Sequence, residues 1–180
     1  INGFLGKILA TDVVDAMLVG LKPGGSRMIM PTLITRPERM AQADPLAPAF
    51  AVNAARMVSR LTRRPAGGTL AAVLRPCEIR AFIELVKLNQ GRVEDLIIIG
   101  IDCLGAFQNR DFHQAMEADE NGVTEGFLQS ALSEGGEPQD VPELAPACRV
   151  CTQPTPEGAD LAVGLFGMDT GSNIQVYGQS

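Results

Sequence analysis

The sequence predicts an α/β protein: a mostly parallel sheet with flanking helices and a Cys-rich loop at the sheet's carboxyl edge. Three observations carry that expectation. Residues 70–103 read as strand, helix and strand, with a cysteine just past each strand end, Cys77 and Cys103. Residues 96–99, Leu-Ile-Ile-Ile, are a continuous apolar run, which suits a parallel strand covered on both faces. The elements up to Cys103 come in the order strand, strand, helix, strand, helix, strand, the alternation of an α/β sheet.

In chain order, residues 4–10 read as the end of a helix and 13–19 as a strand. Residues 22–26, Lys-Pro-Gly-Gly-Ser, make a turn. A second strand follows over 27–34, and Pro31 assigns it to an edge or a bulge. Residues 37–43 fit a short helix. After a rigid loop at 44–48, Ala51, Ala54, Ala55, Val58 and Leu61 form a helical stripe. Residues 65–68 turn the chain into the central unit. There Ile79, Ile83 and Val86 share one helical face, with Phe82 and Leu85 alongside. Arg80, Glu84 and Lys87 lie opposite, at spacings that allow ion pairs. Pro76 suits the first helical turn, and Gly91 suits the C-terminal cap. Two parallel strands joined by such a helix form a right-handed crossover.

Beyond Cys103 the pattern weakens. Residues 104–113 show no periodicity, and 115–132 read as a helix in two pieces, broken near Asn121 and Gly122. The glycines and prolines of 134–146 mark a long connection. Residues 160–166 and 173–177 read as two short strands. Residues 1–180 are thus expected to form a single α/β domain, within which 134–160 is the loop that wraps a ligand.

Composition narrows the function. A chain of 180 residues, 46% of them hydrophobic, is long enough for one sizeable core. The net charge of −6 argues against a general affinity for nucleic acid. No stretch of about 20 apolar residues exists, so no transmembrane helix is expected. The start lacks an initiator Met and a secretory signal. The expectation is a trimmed or partial chain from a reducing, cytoplasmic compartment. In that setting Cys148-Arg-Val-Cys151 points to metal or redox chemistry before a structural disulfide.

The cysteines then become a set. Ligands of an open parallel sheet bind outside the carboxyl ends of its strands, the edge at which Cys77 and Cys103 are expected. Cys77 opens a helix, where free N–H groups and the helix dipole favour the thiolate that binds metal. The prolines around Cys148 and Cys151 are expected to remove regular structure and free that loop to reach the same edge. Four thiolates around one compact object suit an iron–sulfur cluster, although the spacing matches neither common ferredoxin pattern. The same four thiolates suit a structural zinc ion in an interaction module. The Cys148/Cys151 pair alone would suit a thiol–disulfide oxidoreductase. The residues by themselves leave these readings open.

Three motifs occur in a particular order: Leu74-Arg-Pro-Cys-Glu-Ile-Arg-Ala81, Ile99-Gly-Ile-Asp-Cys103, and Cys148-Arg-Val-Cys151 followed by Gly158-Ala-Asp-Leu-Ala-Val-Gly164. The set resembles the coenzyme F420 hydrogenase/dehydrogenase beta-subunit family, which includes formate dehydrogenase beta subunits. Residues 6–19 are similar to that family's early segment, a helix leading into a strand. The resemblance implies a [4Fe–4S] cluster held by Cys77, Cys103, Cys148 and Cys151, with FAD as a further cofactor. It also implies an electron-transfer subunit that works with hydrogenase or formate dehydrogenase subunits and a carrier such as F420. Arg75 stands where many members have a small hydroxyl residue.

Among other residues, Arg75 and Arg80 flank Cys77. Either suits a flavin phosphate or the negative charge of a cluster, Arg75 more so; ion pairing to Glu78 or Glu84 is the plainer alternative. Asp102 is expected as a cap or surface group, and Asp160 as a turn cap. His113, the only histidine, is expected at the solvated surface. Met28, Met30 and Met57 are expected in the core. No Gly-x-Gly-x-x-Gly phosphate loop is present.

Overall fold

Alternation along the strands sorts the apolar side chains onto two faces, and each face is covered by helices. The structure, a computed structural model, describes residues 1–22, 24, 28–65, 67–132, 142–168 and 173–178. Six strands form one sheet: β1 (Ala16–Leu21), β2 (Met30–Ile34), β3 (Leu70–Leu74), β4 (Leu96–Ile101), β5 (Leu161–Gly164) and β6 (Gln175–Gly178). Their spatial order is β2-β1-β3-β4-β5-β6. Strands β1, β3, β4 and β5 run parallel. An antiparallel strand closes each side, β2 on β1 and β6 on β5. The sheet is therefore mixed, with a parallel centre. Among the described residues no helix is long and apolar enough to cross a membrane.

The helices are α1 (Asn2–Leu9), α2 (Ala55–Thr62), α3 (Pro76–Lys87), α4 (Asn109–Ala118), α5 (Val123–Leu132) and the single turn α6 (Pro146–Arg149), with a 3₁₀ turn at Pro37–Gln42. Leu70, Ala72 and Leu74 of β3 and Ile98 of β4 meet Val58 of α2 and Phe82 of α3. Their neighbours Ala71, Val73, Ile99 and Ile101 point to the other face, where Leu5 and Leu9 of α1 cover them. Burial of each such Leu, Ile or Phe contributes about 1.5–3 kcal/mol. A third cluster packs α4 and α5 through Phe107, Phe112, Met116 and Phe127. The rings of Phe107 and Phe127 meet edge to face at 5.3 Å.

The central unit β3–α3–β4 forms as the sequence predicts, and Pro31 lies in the edge strand β2. Several boundaries differ. The first strand runs over Ala16–Leu21 rather than 13–19, because parallel pairing with β3 begins at Ala16 opposite Leu70. The second starts at Met30, the partner of Leu21, so Met28 is 39% exposed rather than in the core. α2 starts at Ala55 rather than 51, where the Glu78 carboxylate accepts the Ala54 N–H at 2.7 Å. α3 ends at Lys87, and the left-handed residue after it is Asn89 (φ 57°), not Gly91. Gly91 is needed for a different reason: a Cβ there would stand 2.9 Å from the Phe82 ring. α4 lies partly within the stretch 104–113, which shows no periodicity by itself. The expected turns at 22–26 and 65–68, the strand start at 27, and the loop 134–160 fall partly outside the described residues, at 23, 25–27, 66 and 134–141.

Candidate functional site

The sequence at the end of β3 is Arg75-Pro76-Cys77-Glu78, and its local chemistry starts α3 at once. Pro76 occupies the first helical position. The Glu78 carboxylate turns back to accept the Arg75 N–H at 3.0 Å, the half of a capping box that a glutamate at the third helical position supplies. Its other oxygen caps the start of α2. Glu78 is only 6% exposed, so one buried carboxylate fixes two helix starts. Glu78, one of the two candidate ion-pair partners weighed for Arg75 and Arg80, places both carboxylate oxygens on these backbone N–H groups. The spacing Pro76-x-Glu78 is the signal that could have revealed this role. Cys77 is thereby held in the first turn of α3.

Cys103 lies two residues past β4, and the segment from residue 142 onward packs back onto this region. The Ala145 N–H donates to the Ala106 carbonyl at 2.7 Å, and Leu144 bridges Phe107. The Cys103 N–H donates to the Pro154 carbonyl at 2.8 Å. Pro156 lies against Gly100, where a Cβ would collide with it and stand 2.8 Å from the Ala159 Cβ. Asp160 completes the attachment: its N–H donates to Ile98 at 2.9 Å and its carboxylate accepts the Ile98 N–H at 2.7 Å. Cys148 and Cys151 lie between these two anchored ends. Contrary to the expectation of irregular backbone, α6 spans Cys148, and the Cys151 N–H donates to the Cys148 carbonyl at 3.2 Å.

All four cysteines are free thiols. Cys77 and Cys151 reach the surface, and Cys103 and Cys148 are half-buried. Burial pushes the Cys103 thiol up; Arg75 and the Gly105 N–H pull it down, and Cys148 and Cys151 add to the rise. Burial and Arg75 also act on Cys77, in opposite directions. Partial burial first, then the charges of Glu78 and Cys103, push its thiol up from 9.0 to about 11, against the pull of Arg75 and Arg80. Partial burial and the Glu78 carboxylate thus oppose the thiolate that a helix start favours. Cys103 is thus the common neighbour: its charge acts on Cys77, and those of Cys148 and Cys151 act on it. Among the described residues no three Cys, His, Asp or Glu side chains are drawn tightly enough to hold a single metal ion. The donor set itself, four free thiols with a guanidinium in range, has the chemistry of a thiolate-ligated centre.

Arg75 caps the start of α3, two residues before Cys77. Its Nη2 donates to the Ala47 carbonyl at 2.5 Å, and its guanidinium lies 5.6 Å from the centre of the Phe50 ring. Asp102 is buried, not a surface group. Its Oδ2 accepts the Leu165 N–H at 2.9 Å, tying the end of β4 to the end of β5. The unbroken apolar strand before it was the available hint of that burial. His113 is exposed, as expected.

Comparison with known proteins adds two findings. The family defined by the carboxy-terminal part of the coenzyme F420 hydrogenase/dehydrogenase beta subunit matches residues 67–177, a range that contains all four cysteines. A solved structure described as "Xenon derivatization of the F420-reducing [NiFe] hydrogenase complex from Methanosarcina barkeri" contains a chain of similar fold. The TM-score is 0.63 at 16% sequence identity, over 99% of this chain and 67% of that one. At that identity the likeness establishes a shared fold. The family match spans more than half of the sequence, and the chain belongs to the coenzyme F420 hydrogenase/dehydrogenase beta-subunit family, through that family's carboxy-terminal region.

Proposed function

We propose that the protein is an electron-transfer subunit of an oxidoreductase complex, in which Cys77, Cys103, Cys148 and Cys151 ligate a [4Fe–4S] cluster. One observation carries this reading. The segment with Cys148 and Cys151 is anchored on both sides to residues 98–107, so that Cys103 has the other three thiols as charge neighbours. A cluster is larger than an ion. Its thiolates stand farther apart than the about 3.8 Å that zinc–sulfur bonds of about 2.3 Å impose on a tetrahedral zinc site.

When bound, the cluster supplies one-electron transfer, at a potential set by burial, charge and hydrogen bonds to sulfur. This chain's residues provide each of these influences. Arg75 supplies positive charge beside Cys77 and Cys103. The Gly105 N–H faces the Cys103 thiol and favours its thiolate. The half-burial of Cys103 and Cys148 limits their contact with water. In this reading the segment 134–160, of which residues 142–160 are described, is the cysteine-bearing loop at the carboxyl edge. FAD as a second cofactor, with Arg75 near its phosphates, and F420 as redox partner rest on family membership. Hydrogenase or formate dehydrogenase partner subunits rest on the same membership and on the fold shared with a hydrogenase complex. Free thiols throughout fit a reducing, cytoplasmic setting.

Serine substitution of each cysteine tests the ligand set. Cys77→Ser, Cys103→Ser, Cys148→Ser and Cys151→Ser, purified without oxygen, should each lose most of the bound iron and change the reduced-state electron paramagnetic resonance spectrum. Full iron content in any one of them removes that residue from the set. A colourless wild-type protein carrying one zinc per chain would replace the cluster with a structural ion.

A further inference from the structure

Among the described residues two buried side-chain atoms have no hydrogen-bond partner, Arg75 Nη1 and Asp102 Oδ1. The two residues line one small cavity of about 20 Å³, together with Cys103, Gly105 and Leu165. Asp102 is 7% exposed, so bulk solvent does not relieve its free oxygen. An unpaired buried polar atom carries its full desolvation penalty, so both atoms call for a partner. Their chemistry selects it. A guanidinium only donates hydrogen bonds and a carboxylate only accepts them. A cation in the cavity would meet the charge of Arg75, and an anion that of Asp102. A water molecule accepts from one and donates to the other, and it needs only about 10–15 Å³.

We propose that Arg75 and Asp102 hold one buried water between them, and that this link fixes the placement of Cys77 relative to Cys103. Each residue is otherwise tied down. Asp102 Oδ2 holds the Leu165 N–H at 2.9 Å, Arg75 Nη2 holds the Ala47 carbonyl, and the Arg75 N–H is held by Glu78. Arg75 precedes Cys77 by two residues, and Asp102 directly precedes Cys103. A water joining them therefore connects the ends of β3, β4 and β5 immediately behind two thiols. Arg75 and Asp102 are positioning residues, acting through the cysteines that follow them.

Three measurements test the link. A crystal structure of the whole chain, at a resolution that shows waters, should place one within about 3.2 Å of both atoms. A dry cavity, or direct contact between the two side chains, overturns it. In the metal-free protein, Arg75→Gln and Asp102→Asn should be coupled: the urea-midpoint shift of the double variant should differ from the sum of the single shifts. Additive shifts overturn the link. The third measurement rests on the proposed function. In iron-loaded protein Arg75→Gln should lower the midpoint potential and Asp102→Asn should raise it. Unmoved potentials overturn the positioning role, while the water and the coupling stand or fall on the first two measurements. Asp102→Asn keeps the side chain's shape and an acceptor for the Leu165 N–H, so its comparison with the wild type does not depend on the Arg75 variant.

Discussion

At Cys77 four charges and partial burial compete for one proton. The outcome is a thiol with a pKa near 11 rather than 9.0. The folded protein then holds this proton more tightly than the unfolded chain does. The resulting stability is present below about pH 9 and is lost as pH rises towards about 11. The metal-free protein should show a falling urea midpoint across that window; a level or rising midpoint would contradict the assignment. Glu78 is the second-largest contributor to the shift. Glu78→Gln should therefore move the pH profile of Cys77 alkylation to lower pH, measured by mass spectrometry of the labelled peptide. Glu78→Ala removes the acceptor for two backbone N–H groups as well. It should cost about 2–4 kcal/mol in chemical denaturation. The sequence shows the spacing of Glu78 within α3. It does not show that α2, more than twenty residues earlier, starts at the same carboxylate.

Among the elements, β3–α3–β4 is legible in the sequence because its signals are local and agree. Apolar runs, a proline at the helix start and a helical stripe all lie within residues 70–101. The boundaries that shifted are set by distant partners. β1 takes its start from β3, β2 from β1, and α2 from Glu78. The order in which the cysteines occur was legible. The attachment of 142–160 to 98–107 was not, because hydrogen bonds such as Cys103 to Pro154 leave no periodic trace. Gly100 tests that attachment. A side chain there would collide with Pro156 and crowd Ala159, on the strand that leads to Cys103. Gly100→Ala should destabilise the protein by about 1–3 kcal/mol in thermal or urea unfolding. It should also increase proteolysis within 142–160. Wild-type stability and protection would show that Pro156 does not pack as described.

For the whole molecule, a ligand that binds only the folded state raises stability by mass action. Cysteines from the start of α3, the end of β4 and the 142–160 segment belong to regions far apart in the chain. A centre joining them should stabilise the fold cooperatively. Iron removal should lower the unfolding temperature and expose 142–160 to protease, while residues 70–101 stay protected. Equal protection of both segments after removal would separate the metal from the fold. The most direct measurement is the iron and acid-labile sulfide content of anaerobically purified protein, together with its visible spectrum. A [4Fe–4S] centre predicts about four of each per chain and a broad absorbance that dithionite bleaches. Protein with neither iron nor sulfide after anaerobic reconstitution, and with all four thiols still open to alkylation, would contradict it.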